Sequence, residues 1–343
     1  MAKDSVSRIL IVAPSWIGDA VLSQPLLMRL KQRFPDDPID VLAPGWVLPL
    51  YRRMREVADT IESPFAHGRL ALGARLRLAR ALRQRRYARA YVLPNSLKSA
   101  LLPWLARIPQ RVGFVGEMRY GLLTDARRLD ENRLPRMVQR FAHLADSSGV
   151  PPPEALPEPR LAVGADEARA VCARLGLTEP ARLACFCPGA EYGPAKRWPP
   201  QHFAALAQRL VPRGWAVWLL GSKKDAAIGA RIAQIAGGGV RDLTGATSLD
   251  DAVVLLSRAE LVVSNDSGLM HVAAALERPL VALYGSSSPD FTPPLSSQAR
   301  IARLPLPCSP CFERVCPLGH FDCMMRLTPD RILEEIRRLR PDA

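Results

Sequence analysis

Residues 9–27 read ILIVAPSWIGDAVLSQPLL, and this stretch indicates how the first half of the chain folds. An apolar run from Ile9 to Ala13 ends at Pro14, and helical spacing of apolar residues resumes after Gly18 and Asp19. This order is typical of a buried parallel strand that leads into a helix. Ligands bind beyond the carboxyl ends of such strands. The pattern therefore places the carboxylate of Asp19 at a candidate functional site.

Strand and helix patterns alternate on both sides of a proline-rich segment. Residues 149–160, GVPPPEALPEPR, contain five prolines, which stiffen the chain into an extended linker. We therefore predict an α/β protein of the GT-B type, with two Rossmann-like doubly wound domains facing a central cleft, at residues 1–160 and 161–328. Within residues 329–343 we predict a final helix from Pro329 to Leu339, which could pack on either domain, including back on the N-terminal one. The apolar runs that carry the prediction are 8–13, 39–42, 90–93 and 111–114, then those in RLACFCPGA, WAVWLLGS, ELVVSNDSG and PLVALYGSS.

Composition and charge limit the possible classes of protein. The 343 residues are 48% hydrophobic, yet no apolar run approaches the roughly 20 residues that span a bilayer, and no signal peptide pattern opens the chain. We expect a cytoplasmic location. The net charge of +14 is uneven: residues 1–165 hold 26 Lys and Arg against 15 Asp and Glu, whereas residues 166–343 hold 21 against 18. The basic half is the one that we expect to meet an anionic partner.

The basic charge concentrates in one stretch, RLALGARLRLARALRQRRYAR, within a region that has no acidic residue between Glu62 and Glu117. The spacing predicts a basic amphipathic helix, which suits an anionic membrane surface or a phosphate-rich partner. A solvated helix face that packs its apolar residues inward is the alternative. The arginines are Arg69, Arg75, Arg77, Arg80, Arg83, Arg85, Arg86 and Arg89, around Leu72, Leu76, Ala79 and Leu82.

The stretch SNDSGLMHVAAAL follows the predicted strand 261–264 and begins a helix. The first amides of a helix bind anions, and Gly268 allows a phosphate to approach the backbone closely. His271, one turn later, would face the same pocket. Helix capping by Asp266 or Ser267 is the alternative to ligand binding.

Two further loops follow predicted strands. PGAEYGPAKRWPP carries Lys196, which is either a counter-charge for a diphosphate or an ordinary surface lysine. LLGSKKDAAIG carries Asp225, a possible acceptor for a ribose hydroxyl. The chain contains neither GxGxxG nor GxxxxGK[ST], which argues against a nicotinamide dehydrogenase and a P-loop NTPase.

Four of the seven cysteines lie in CSPCFERVCPLGHFDC, as Cys308, Cys311, Cys316 and Cys323. Thiolates at such spacings could bind zinc, but structural zinc sites usually pair two CxxC hooks, and this segment has one. Reduced thiols are the expected state in the cytosol.

Several long motifs, in order, resemble the family 9 glycosyltransferases, the bacterial ADP-heptose:lipopolysaccharide heptosyltransferases. The resemblance implies a GT-B fold, with an N-terminal domain for the lipopolysaccharide acceptor and a C-terminal domain for ADP-heptose. It also implies an inverting transfer of L-glycero-D-manno-heptose to the first heptose of the inner core, on heptosyl-Kdo2-lipid A. Addition of the first or third heptose is the nearest alternative, and a non-catalytic nucleotide-sugar or RNA-binding protein is a more distant one. The motifs are PSWIGDAVLSQ, AYVLPNSLKSAL, GEMRYGLLTD, FCPGAEYGPAKRWP and NDSGLMHVAAALERPLVALYGSSSPDFTPPLS.

The resemblance also implies roles for individual residues. Asp19 matches the general base, with a helix cap as the alternative for this carboxylate, and Gly18 before it lets the acceptor come close. Lys196 matches the lysine that binds the diphosphate. The remaining donor-binding matches are Asp266, Ser267, Gly268 and His271 at the donor turn, Asp225 at the ribose and Thr247 near the adenine.

The acceptor side and the cofactor requirement complete the expectations. Asn95, Ser96 and Lys98 follow a predicted strand end and are assigned to the acceptor side. No DxD pair lies at a strand end, so we expect metal-independent transfer with no cofactor. The anionic inner face of the cytoplasmic membrane is the expected partner surface. Nucleic acid is not expected, because the basic stretch has little aromatic interleaving for base stacking.

Overall fold

The computed structural model describes residues 7–65 and 72–342. The chain divides into two compact units, Met1–Pro159 and Arg160–Ala343. Each unit is built on a six-stranded parallel sheet. No helix in the described part of the chain is long and apolar enough to cross a membrane.

The first unit has the strand order β3-β2-β1-β4-β5-β6. Its central strands are apolar and buried, with Leu10, Ala90 and Val92 in the core. The elements are β1 (Arg8–Val12), α1 (Ile17–Leu22), α2 (Gln24–Arg33), β2 (Ile39–Ala43), α3 (Leu48–Arg52), β3 (Val57–Glu62), α4 (Leu72–Gln84), β4 (Tyr87–Val92), α5 (Leu97–Leu105), β5 (Gln110–Phe114), β6 (Asp125–Arg127) and α6 (Met137–His143).

The second unit repeats this topology, with the order β12-β11-β10-β7-β8-β9. Trp198, Phe203 and Phe186 pack together in its core, with ring centroids 4.8 Å and 5.7 Å apart along the series. The elements are α7 (Ala165–Arg174), β7 (Leu183–Cys187), α8 (Pro200–Leu210), β8 (Ala216–Leu219), α9 (Ala226–Ala236), β9 (Val240–Asp242), α10 (Leu249–Ser257), β10 (Leu261–Asn265), α11 (Gly268–Ala275), β11 (Leu280–Leu283), β12 (Ala299–Ala302), α12 (Asp322–Met325) and α13 (Pro329–Leu339).

The final helix, α13, begins and ends at the residues that the sequence predicts, and it lies in the second unit. Ile332, Leu333 and Ile336 are buried in the core of that unit, where α13 packs against α8, β11 and β12. The sequence left open which domain this helix packs on. The apolar face of α13 completes the core of the second unit, because three side chains at helical spacing are buried there.

Of the basic stretch, the segment Leu72–Gln84 forms α4, whereas Arg85 and Arg86 follow the helix and Arg89 lies in β4. Ala79 and Leu82 are buried, whereas Leu72 and Leu76 are 52% and 43% exposed. Arg69 lies outside the described residues. The alternative for this stretch, a solvated helix face that packs its apolar residues inward, therefore does not hold for Leu72 and Leu76.

Candidate functional site

The shared topology explains where each unit can hold a ligand. In each sheet the strand order reverses at one place, between β1 and β4 in the first unit and between β7 and β10 in the second. Neighbouring loops diverge at such a point and leave a crevice at the carboxyl edge of the sheet. The loops that border these two crevices carry most of the residues that the sequence singles out.

A pocket of about 560 Å³ occupies the crevice of the first unit. Asp19 lies on its wall, in the first turn of α1, and Trp16 holds the N-cap position without a side-chain cap bond. Asp19 is thus not the cap of its helix, which was the alternative for this carboxylate. The wall also includes three residues that the sequence predicts for the acceptor side, Asn95, Ser96 and Lys98, and Gly18 immediately precedes Asp19 in α1.

The pocket wall is rich in cations. Arg75, Lys98 and Arg140 contribute to it, with Glu117 as the second carboxylate beside Asp19. Arg75 is buried, donates to the carbonyl of Lys98 at 3.0 Å and lies 4.1 Å from the ring centroid of Phe65. Such a lining suits a polar, negatively charged ligand more than an apolar one.

Arg119 fixes the loop between β4 and α5, a role that no sequence pattern indicates. Its fully buried guanidinium donates to the carbonyls of Phe114 at 2.9 Å and Pro94 at 2.5 Å, and to the side chains of Asn95 and Ser99 at 3.2 Å each. Burial lowers the pKa of Arg119 to about 10. Because the guanidinium bonds both β5 and the loop, it holds Asn95 and Ser96 at the pocket.

In the second unit, the loop after β7 and the end of β10 meet through an ion pair. Lys196 Nζ lies 2.6 Å from Asp266 Oδ2, and the two side chains are 17% and 4% exposed. Asn265 supports the pair: its amide nitrogen donates to the carbonyl of Pro188 at 2.7 Å, and its amide oxygen accepts from the backbone of Trp198 at 3.0 Å. Asn265 therefore ties both ends of the lysine-bearing loop to β10.

The helix α11 starts beside this ion pair. Ser267 holds its N-cap position and makes no side-chain cap bond, so neither Asp266 nor Ser267 caps the helix. The first amides, beginning at Gly268, are thus not satisfied by a capping side chain and can bind an anion. His271 is buried in the same helix, where burial lowers its pKa to about 4 against the opposing effect of Asp266. Its imidazole is neutral at physiological pH.

The other two residues that the sequence predicts for the donor side, Asp225 and Thr247, lie along the same edge of the sheet. Asp225 follows β8, and its Oδ2 accepts from the backbone and hydroxyl of Ser222 at 2.9 Å and 2.7 Å. A Cβ at Gly189 would lie 2.6 Å from this carboxyl group, so glycine is required for the close approach. Thr247 lies farther along the edge, before α10, with its hydroxyl 3.5 Å from the carbonyl of Leu243.

The sequence patterns did not single out two buried serines, Ser286 and Ser287, which follow β11. Ser286 and Ser287 are 1% and 7% exposed, and their hydroxyls have no hydrogen-bond partner among the described residues. They lie in the GSSSP sequence that the resemblance includes, but a run of serines after a strand does not distinguish a turn from a ligand contact.

The four cysteines of residues 308–323 lie near one another in the structure. All four cysteines are free thiols, and the pKa of Cys323 is raised by burial and then by the thiols of Cys311, Cys308 and Cys316. No group of three or more His, Cys, Asp or Glu among residues 7–65 and 72–342 is arranged to hold a metal ion. One CxxC hook brings the thiols near each other without assembling a ligand set.

Comparison with known proteins identifies the family. The model of glycosyltransferase family 9 (heptosyltransferase) matches residues 75–322. The chain belongs to glycosyltransferase family 9. This membership makes it an enzyme and removes the non-catalytic nucleotide-sugar or RNA-binding alternative.

Relatives of this family 9 glycosyltransferase match over nearly their whole length. Lipopolysaccharide heptosyltransferase 2 of Salmonella typhimurium strain LT2 is 48% identical, covering 97% of this chain and 98% of the relative. Lipooligosaccharide heptosyltransferase 2 of Haemophilus ducreyi strain 35000HP is 45% identical, covering 97% and 99%. The solved structure of Escherichia coli ADP-heptose LPS heptosyltransferase II superposes with a TM-score of 0.88 at 46% identity, covering 97% and 98%. The predicted GT-B fold class is confirmed.

Proposed function

We propose that this glycosyltransferase moves L-glycero-D-manno-heptose from ADP-heptose to the first heptose of the lipopolysaccharide inner core, on heptosyl-Kdo2-lipid A. The observation that carries the proposal is the identity of 45% and 48%, over nearly the whole chain, to relatives named for the second heptose transfer. Addition of the first or third heptose is the alternative, and the acceptor distinguishes the three.

The second unit is proposed to bind ADP-heptose. Lys196 and the first amides of α11, from Ser267 and Gly268, contact the diphosphate, since fixed donors and a cation at a helix start suit an anion. Asp266 accepts from heptose hydroxyls, and neutral His271 shapes the same pocket. Asp225 contacts the ribose, and Thr247 lies near the adenine.

The first unit is proposed to bind the acceptor in the pocket beside Asp19. Heptosyl-Kdo2-lipid A carries phosphates and carboxylates, and the pocket supplies Arg75, Lys98 and Arg140 as cations. Asn95 and Ser96, which Arg119 holds in place, offer polar contacts to sugar hydroxyls. The exposed arginines of α4 hold the enzyme on the anionic inner face of the cytoplasmic membrane.

The proposed chemistry is a single inverting displacement. The acceptor hydroxyl attacks the anomeric carbon from the face opposite ADP, and Asp19 takes its proton as the new bond forms. A free Asp has a pKa of about 3.9, so the group is ionised at neutral pH, and the hydroxyl becomes more acidic as the transition state develops. Lys196 and the α11 amides offset the charge that builds on the leaving ADP, which makes a metal ion unnecessary.

The test is ADP release, with mass analysis of the lipid, from ADP-heptose and three acceptors: Kdo2-lipid A and its mono-heptosylated and di-heptosylated forms. We expect one added heptose on the mono-heptosylated acceptor alone, with full activity in excess EDTA. Asp19→Asn should lower kcat by about 100-fold or more while ADP binding stays unchanged, because only proton transfer is removed.

Asp36→Asn is the matched control, since Asp36 is an exposed carboxylate of the same unit, and it should act like the wild type. Transfer to Kdo2-lipid A or to its di-heptosylated form would show that the enzyme adds the first or the third heptose. Activity retained by Asp19→Asn would contradict its role as the base, and loss of activity in EDTA would contradict metal independence.

A further inference from the structure

The cysteine segment, residues 308–323, contacts two other segments of the second unit through its backbone. The carbonyl oxygen of Arg314 accepts from the amide of Ala195 at 3.0 Å, and the carbonyl oxygen of Phe312 accepts from the hydroxyl of Tyr192 at 2.5 Å. The amide of Phe312 donates to the carbonyl of Ser286 at 2.6 Å, beyond the end of β11. The segment is therefore fixed to the loop that carries Lys196 and to the end of β11.

Gly193 allows this docking. A Cβ at Gly193 would lie 2.3 Å from the carbonyl oxygen of Arg314, a distance that no side chain tolerates. Because the contact is between two backbones, the position of Arg314 does not depend on its own side chain.

The side chains of Arg314 and Lys196 both contact the ring of Tyr192. The guanidinium carbon of Arg314 and Nζ of Lys196 are each 5.1 Å from the ring centroid of Tyr192. The two cationic groups are thus at most about 10 Å apart. The aromatic ring orients both of them by cation–π contacts.

The two cations differ in how their charge is offset. Lys196 is paired with the buried carboxylate of Asp266 at 2.6 Å, so the pair carries no net charge. Arg314 is exposed and forms no ion pair with any residue in the described ranges. A diphosphate with more than one negative charge needs a further positive group at this place, and a guanidinium binds phosphate oxygens in bidentate geometry.

We propose that Arg314 is a second cationic contact for the diphosphate of the nucleotide sugar, acting beside Lys196. This assignment rests on the proposed donor site of the second unit. It gives the cysteine segment a function as the support that brings this arginine to the carboxyl edge of the sheet.

The test is calorimetric titration of the full-length protein with ADP and, separately, with adenosine. Arg314→Gln should raise the Kd for ADP by about tenfold, the effect of losing a charge-assisted hydrogen bond, and should leave the Kd for adenosine unchanged. Arg314→Lys should retain part of the ADP affinity. The matched control is Arg326→Gln, which removes a 65% exposed arginine three residues after Cys323 and should change neither constant.

Three other results would contradict the proposed role of Arg314, and each has a different meaning. Equal ADP binding by wild type and Arg314→Gln would remove Arg314 from the site and leave the proposed function standing. Equal losses for ADP and adenosine would show a structural effect of the segment and no diphosphate contact. Failure of the wild type to bind ADP would overturn the donor site itself, and the role of Arg314 with it.

Discussion

The imidazole of His271 shows at the scale of one residue how burial decides a chemical role. Sequence spacing placed His271 one turn after Asp266, and the resemblance assigned it to the donor site. In the structure the ring is 4% exposed beside the Lys196–Asp266 pair, and burial lowers its pKa to about 4 from an ordinary value of 6.5. A neutral ring can accept or donate one hydrogen bond to a ligand but supplies no charge to a diphosphate.

This shift predicts a pH dependence of stability. Between pH 6.5 and pH 4 the unfolded chain binds a proton at residue 271 and the folded chain does not, so stability falls as the pH falls through that window. The loss of free energy of unfolding from this group should reach about 3 kcal/mol near pH 4. Chemical denaturation between pH 7 and pH 4.5 measures it.

His271→Asn serves as the comparison, because both proteins share all other titrating groups, including His143 and His202, whose pKa values burial also lowers. The variant should lose less stability than the wild type over this pH range. Parallel curves for the two proteins would contradict the buried neutral histidine.

At the scale of the element, the arginines of the basic stretch, from α4 to β4, form two groups. Arg75 is buried, Arg85 pairs with Asp40 and Asp59 at 3.0 Å and 2.6 Å, and Arg89 pairs with Asp37 at 3.1 Å. These three stabilise the first unit. Arg85 is itself 39% exposed, and the other exposed arginines are Arg77, Arg80 and Arg83 in α4 and Arg86 after it.

The exposed group predicts binding to an anionic membrane surface. Replacing Arg77, Arg80 and Arg83 together by Gln should weaken binding to phosphatidylglycerol-containing vesicles by about 100-fold at low salt, at about 1 kcal/mol for each charge. Exposed Leu72 and Leu76 beside them can enter the interface. Vesicle sedimentation measures the affinity, and ADP binding should not change.

The matched control removes the same charge from α13 by replacing Arg331, Arg337 and Arg338, all exposed, with Gln. This variant should bind vesicles nearly as the wild type does. Equal losses of vesicle affinity in the two triple variants would indicate an effect of net charge. No loss in either variant would show that the exposed side of α4 is an ordinary solvated surface.

For the whole molecule, the repeated topology predicts that ligand effects are local to one unit. Each unit has its own buried core and its own crevice between the first and fourth strands of its sheet. Bound ADP at about 100 times its Kd stabilises the state that binds it by about 2.7 kcal/mol. We expect this stabilisation to appear in the second unit.

Hydrogen exchange with and without ADP checks this expectation. Amides of β7 and β10 and the first turn of α11 should exchange more slowly with ADP, whereas amides of β1 and β4 should not change. Equal protection of both sheets would contradict a donor site confined to the second unit.

The strands that the sequence predicted and those that it missed differ in their place in the sheets. The eight predicted strands are the inner ones, where continuous apolar runs mark burial on both faces. The four missed strands are β3, β6, β9 and β12, and all are edge strands. An edge strand such as β3 is largely exposed, so its sequence VADTIE carries no continuous apolar run.

The sequence by itself determined the α/β class and the loops in which the reactive residues lie, because apolar runs and helical spacing are local patterns. Asp19, Lys196 and Asp266 could be singled out because each follows a buried strand. Only the tertiary structure decided which loops are neighbours, since the strand order brings together residues far apart in the chain. Lys196 meets Asp266 across 70 positions. The guanidinium of Arg119 binds backbone carbonyls, and Arg314 is held in place through its own backbone carbonyl, so no side-chain pattern in the sequence encodes either contact.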